Sequence, residues 1–146
     1  MHTDAAVMAH LGGRRTEQQT LDYLATNLLH WSDHGFGLWI LRELNGAEPI
    51  GRGLLRYLRV DAVDELEVGY AFYEPFWGRG YATEIMSACL VYGRERLHHE
   101  TFVALTSPDN RASQRVLVKS GFQYVRPFEH DGAAQALFRT YSGPAA

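Results

Sequence analysis

Apolar and polar positions change their period several times along this chain, and each change marks an element. Thr16 and Gln19 have the spacing of a capping box. Leu21, Leu24, Leu28 and Trp31 then recur at helical intervals until Gly35, which predicts a helix over residues 16–34. Phe36–Leu44 and Pro49–Val60 read as strands joined through Asn45-Gly46, a strong hairpin signal. The acidic run Asp61–Glu65 predicts a turn, and Leu66–Tyr73 a third strand that stops ahead of Pro75. From Tyr81 to Leu97 the period is helical again, with Ile85, Met86, Cys89 and Tyr92 on one side. Thr101–Ser107 reads as a strand and Asn110–Gly121 as a short helix. Phe122–His130 and Gln135–Ser142 read as a closing hairpin about Asp131-Gly132. The order is helix, three strands of antiparallel character, helix, strand, helix, two strands. It predicts an α/β fold with a mixed, mostly antiparallel central sheet flanked by helices.

Composition narrows the picture only a little. At 146 residues the chain fits one domain spanning residues 1–146, and a formal charge of −3 gives no reason to expect nucleic acid or an acidic membrane as partner. The single Cys89 has no internal disulfide partner. The opening residues have neither a basic start nor an apolar run of signal length, and no later stretch is apolar for long enough to cross a bilayer. A cytoplasmic location is the expectation.

Candidate chemistry concentrates in Phe76–Glu84, FWGRGYATE, where two glycines flank an arginine between a strand and a helix. Such a loop can be a plain turn. It can also be an anion cradle, since first-turn amides of a helix lack partners, glycine allows close approach and Arg79 adds charge. A P-loop is excluded by the lack of Gly-Lys-Ser/Thr, and a dinucleotide fingerprint by the lack of a third glycine.

A second cluster, Ser107–Phe122, changes the weighing. With Trp77-Gly78-Arg79-Gly80-Tyr81-Ala82, then Asn110-Arg111-Ala112-Ser113, then Gly121-Phe122, the chain from about Val7 onward resembles the GNAT superfamily of N-acetyltransferases. Within it the chain is most similar to the branch that includes ribosomal-protein N-terminal acetyltransferases. The resemblance implies two parallel strands that splay apart, with Tyr70, Ala71 and Phe72 holding the pantetheine amides of acetyl-CoA as an added strand would. It implies that the amides from Gly78 through Arg79, Gly80, Tyr81 and Ala82 to Thr83 receive the pyrophosphate, beside Trp77. Asn110 would bind the pantetheine arm, with Ser113 near the thioester; Asn110 also fits a helix N-cap. The chain departs from the family in three ways. Trp77 replaces a Gln or Arg, Leu117 stands where a tyrosine acid is frequent, and the usual first strand is lacking.

The function so implied is transfer of acetyl from acetyl-CoA to a primary amine, a protein N-terminus or a small molecule, by direct attack in a ternary complex. Glu67 is the candidate base, on the opposite side of its strand from Leu66 and Val68. The amide of Tyr70 or Ala71 would stabilise an oxyanion, and Ser113 and Tyr141 are candidate acids. His30, Trp31 and His34 are candidates for the acceptor pocket; His30 and His34 lack a third ligand, so no metal is expected. Cys89 reads as a core residue. The competing reading is a catalytically weak module of the same fold that binds CoA or a peptide. Without a first strand, Phe36–Leu44 would be a sheet edge, so either the protein starts further upstream or the edge is covered in a homodimer.

Overall fold

The computed structural model describes residues 1–9, 11 and 13–141. A one-turn helix α1 (Ala5–Met8) precedes α2 (Glu17–His34), whose capping box is complete: the Thr16 hydroxyl accepts from the Gln19 amide and the Gln19 side chain accepts from the Thr16 amide. Then follow β1 (Leu38–Arg42), β2 (Pro49–Val60), β3 (Val63–Phe72), α3 (Tyr81–Glu95), β4 (Val103–Thr106), α4 (Arg111–Lys119), β5 (Gln123–His130) and β6 (Ala133–Arg139). Helix α1 has no counterpart in the sequence pattern, β6 starts two residues earlier than expected, and β3 and β1 differ for reasons that the structure shows. The acidic turn contracts to Asp61 and Ala62, both at positive φ (50° and 66°), so β3 starts at Val63 and draws Asp64 and Glu65 into the strand. There Arg59 and Arg139 pair with them. β1 is shorter than expected, because Phe36 leaves the strand to fill the core and the connection after Arg42 runs long.

Six strands form one sheet in the order β1-β2-β3-β4-β6-β5, antiparallel throughout except between β3 and β4. One face packs on α3 and α4 through Leu55, Leu66, Val68, Met86, Phe102 and Leu117. Helix α3 lies close to the sheet because Gly53 faces it, where a Cβ would stand 2.7 Å from Ile85. Cys89 is part of this core, and burial pushes its thiol up to about 11. A second cluster, with Leu58, Val60, Val103 and Leu137, lies on the other face, and Val7 and Met8 of α1 pack on Ala71 there.

Helix α2 meets the sheet with its polar side. Thr20, Tyr23, Asn27 and His30 turn inward, whereas Leu21, Leu24, Leu28 and Leu29 are exposed, Leu28 to 69%. An apolar stripe ordinarily turns to the core. Here the inward contacts are hydrogen bonds and ring contacts instead. The His30 Nδ1–H donates to Phe36 O at 2.8 Å and its Nε2 accepts the Tyr57 amide at 3.1 Å, which supplies the partner that β1 is too short to offer. Among the described residues no helix is long and apolar enough to cross a membrane.

Candidate active site

Strands β3 and β4 pair only at Glu67–Val103 and then separate. The two-residue turn at Asp61-Ala62 sets which backbone groups this leaves open. Counting from the hydrogen-bonded pair Val60–Val63, alternate residues of β3 bond to β2, a pattern carried on by the Tyr73 amide donating to Ile50 O. Tyr70 and Phe72 therefore point their main-chain groups into the gap, whereas those of Ala71 bond to β2. The Phe72 carbonyl is taken up by the Trp77 indole N–H at 2.8 Å, which fixes the loop that follows against the strand end.

The gap opens into a cleft of about 650 Å³. Tyr70, Ala71, Phe72 and Trp77 line it, with Gly78, Gly80, Tyr81, Ala82 and Thr83 from the loop and helix start. Gly78 and Gly80 hold positive φ (72° and 82°), a region that favours glycine, and nothing lies within 4 Å of where a Cβ would be. Gly80 N-caps α3 with no side-chain cap, so the first-turn amides of α3 lack a side-chain acceptor. Arg79 is the exception in this loop: it turns out to Glu43 (3.4 Å) and over the Phe76 ring, and does not line the cleft.

The opposite wall is α4. Asn110 caps it, its Oδ1 accepting the Ser113 amide at 3.1 Å, and both residues line the cleft. Arg115 and Lys119, one turn apart, add positive charge that the motif reading did not single out. The Tyr70 hydroxyl donates to Ser113 Oγ at 3.3 Å across the cleft. Burial raises the pKa of this phenol, a shift that its bond to Ser113 partly opposes, so it stays protonated at neutral pH. Leu117 is in the core, facing away from where an acid would be needed.

Glu67 marks the point where the strands part. It is 5% exposed, and it lies on the face opposite Leu66 and Val68, as alternation requires. Its Oε2 accepts from Arg56 Nε at 2.6 Å, and Arg56 reaches His130 Nε2 at 3.3 Å. Burial works against the charge of Arg56, but attraction and hydrogen bonding to Glu67 raise its pKa overall.

Glu67 itself does not line the cleft but is buried beside it, at the level where β3 and β4 part, and the remaining candidates are not brought to the cleft either. Tyr141 is exposed, beyond the end of β6, and does not line it. Both ring nitrogens of His30 are used in structural bonds, and burial lowers its pKa, a shift that the bond to Phe36 partly opposes. Trp31 donates its indole N–H to Leu38 O on the outer edge of β1, and His34 packs on Phe36 and Tyr57. These three side chains support α2 and are not cleft residues. Conversely, Ala6, Val7 and Leu11 line the cleft from the Ala71 face, a contribution that no motif signalled.

An acetyltransferase (GNAT) domain family model matches residues 1–123. Uncharacterized protein YkkB of Bacillus subtilis (strain 168) is 32% identical over 126 residues, 86% of this chain and 73% of that protein. The crystal structure of the acetyltransferase from Agrobacterium tumefaciens str. C58 superposes with a TM-score of 0.78 at 25% identity, covering 92% of this chain and 78% of that one. The structure of yncA from Salmonella typhimurium with its cofactor acetyl-CoA has a TM-score of 0.65 at 18% identity, covering 91% and 78%, a likeness of fold.

Proposed function

Because the chain belongs to the GNAT acetyltransferase family, we propose that it is an N-acetyltransferase that passes the acetyl group of acetyl-CoA to a primary amine held beside it. The observation that carries this reading is one cleft lined both by an unpaired strand segment and by the uncapped start of a helix. The first suits the amides of a pantetheine arm and the second a pyrophosphate. Acetyl-CoA supplies an activated thioester; the chain supplies placement and proton handling. The amides from Gly78 to Thr83 would take the pyrophosphate, with Arg115 and Lys119 adding charge from the facing helix. The Tyr70 and Phe72 main chain and Asn110 would hold the arm.

Glu67 would draw the proton from the incoming amine, directly or through water. The Tyr70 N–H, which faces the gap, would be the donor to the acetyl oxygen, since the Ala71 N–H is committed to β2. The proton for the departing thiolate would come from the Tyr70 hydroxyl with Ser113 behind it, a role for which Tyr141 is misplaced. The ribosomal-protein branch is the narrower form of this proposal, resting on the motifs around Trp77 and Asn110.

The ion pair of Glu67 with Arg56 favours a second reading, a CoA- or peptide-binding module in which that carboxylate is structural. One assay separates them: thiol release from acetyl-CoA over a panel of amines, with acetylated product identified by mass. Turnover that Glu67→Gln lowers about a hundredfold, with CoA affinity within about twofold of wild type, supports the enzyme. Tight CoA binding without product from any amine supports the module.

A further inference from the structure

The closing hairpin reaches across the sheet. In the strand order β3, β4 and β6 stand between β2 and β5, yet His130 at the end of β5 comes within 3.3 Å of Arg56 on β2. An overhang makes this possible. β6 pairs with β4 only from Ala136 onward, so residues 133–135 and their partners 128–130 run past the end of β4. The tip thereby crosses the two strands between which the gap opens, on the face that carries Glu67.

His130 occupies a divided place there. Its Nε2 is 3.3 Å from the Arg56 guanidinium, which can only donate, and 3.3 Å from Asp131 Oδ2, which as a carboxylate oxygen can only accept. One nitrogen cannot serve both. Bare, Nε2 accepts from Arg56 and stands against the Asp131 charge; protonated, it pairs with Asp131 and stands against Arg56. Histidine is the residue type whose charge ordinarily changes between about pH 5 and 8. The same guanidinium is held at its other side, where Nε donates to Glu67 Oε2 at 2.6 Å. A chain of contacts therefore leads from the exposed Asp131, through the partly buried His130 and Arg56, to the buried carboxylate where the strands part. Further charged or titratable neighbours of Arg56 are Arg52 on its own strand and Tyr23 and His30 on α2.

We propose that His130 is a proton-operated switch on Glu67. Neutral, it latches the hairpin tip to Arg56 over the gap. Protonated from solvent, it releases Arg56 and turns to Asp131, and the positive charge added beside the ion pair makes Glu67 a poorer base. His130 touches no reacting atom in this scheme and is a positioning residue. The consequence for turnover rests on the N-acetyltransferase reading: acetylation weakens toward acid more steeply than ionisation of the amine alone requires.

The test follows the Arg56 Nε–H resonance and the His130 ring protons by NMR between about pH 8 and 5, in protein without added ligand. Both move with one midpoint. His130→Gln, which keeps an acceptor but takes up no proton, holds the Arg56 signal at its high-pH position throughout, and His130→Ala leaves it displaced at every pH. Asp131→Asn, at the exposed end of the chain of contacts, moves the shared midpoint to lower pH. With the amine that turns over fastest in the panel, the ratio of wild-type to His130→Gln rate cancels the ionisation of the amine, and it falls several-fold between about pH 8 and 6. An Arg56 signal that stays still, or that moves as much in His130→Gln, where His30 is then the titrating group, overturns the switch. A rate ratio that is constant with pH while the signal moves overturns its link to Glu67. Failure to acetylate any amine counts against the enzyme reading alone, since the resonances are read without turnover.

Discussion

At the scale of single residues, Gly80 is the position on which ligand binding should turn most sharply. Its φ of 82° puts an L side chain under strain of about 1–2 kcal/mol, yet the space beyond it holds no protein atom within 4 Å. Gly80→Val should therefore stay folded and place two methyl groups where a pyrophosphate would approach the α3 amides. CoA affinity measured by calorimetry should fall at least about a hundredfold. Normal CoA binding by a folded Gly80→Val protein would remove the loop from the site. Arg79→Ala should cost little, because its charge is already directed to Glu43 at the surface. Leu117 teaches a related lesson. Its side chain belongs to the core, so the proton donor we propose is the half-buried phenol of Tyr70, which lines the cleft from β3.

Among elements, α2 shows how a pattern can be read correctly and still mislead. Leu21, Leu24, Leu28 and Trp31 do lie on one helical stripe, but docking is decided by His30, whose two ring bonds complete the backbone pairing of β2 and of the loop into β1. Those bonds require Nδ1 protonated and Nε2 bare, so a second proton breaks one of them. The pKa of His30 is lowered and that of His2 is lowered to about 4, while the unfolded chain takes up these protons near 6.5. Below that value the unfolded state binds more protons, so stability is full above about pH 6.5 and declines as pH falls toward 4. The melting temperature should thus drop between pH 7 and 5. His30→Ala should cost about 2–3 kcal/mol at pH 7 by orphaning the Tyr57 amide, and should flatten that pH dependence. An unchanged slope in this variant would assign the acid sensitivity elsewhere. The hairpins, the glycine loop and the Asn110 cap were legible because each rests on local chemistry, turn residues or capping spacing. The Arg56–Glu67 pair was legible in principle, since counting back from a two-residue turn aligns them, but the acidic run masked where that turn ended. The contact of His130 with Arg56 was not. It joins the closing hairpin to β2 through side-chain reach, and no period or spacing in the sequence records that.

For the molecule as a whole, the unresolved balance is the apolar surface of α2 beside the open edge of the sheet. The edge itself is partly guarded: β1 has five residues, its outward Leu38 carbonyl already accepts from Trp31, and only Ile40 is a large exposed apolar side chain there. The helix is not guarded, with Leu21, Leu24, Leu28 and Leu29 all exposed. We therefore expect self-association to run through α2, with the strand edge contributing little. Each leucine is about half covered already, so a two-fold contact that finished burying them on both copies would gain on the order of 8 kcal/mol. Association costs at least about 4 kcal/mol, which leaves a reversible dimer and not an obligate one. Sedimentation over a range of concentrations should show that equilibrium. Replacing Leu24 and Leu28 together with Glu should give a monomer that binds CoA as the parent does, because no α2 side chain lines the cleft. Persistence of the dimer in that variant would move the contact to β1, where Ile40→Lys is the matching substitution. A wild-type protein that stays monomeric at its highest soluble concentration would mean that the leucine face is simply hydrated, and that the hydrogen bonds of His30 alone hold α2 in place.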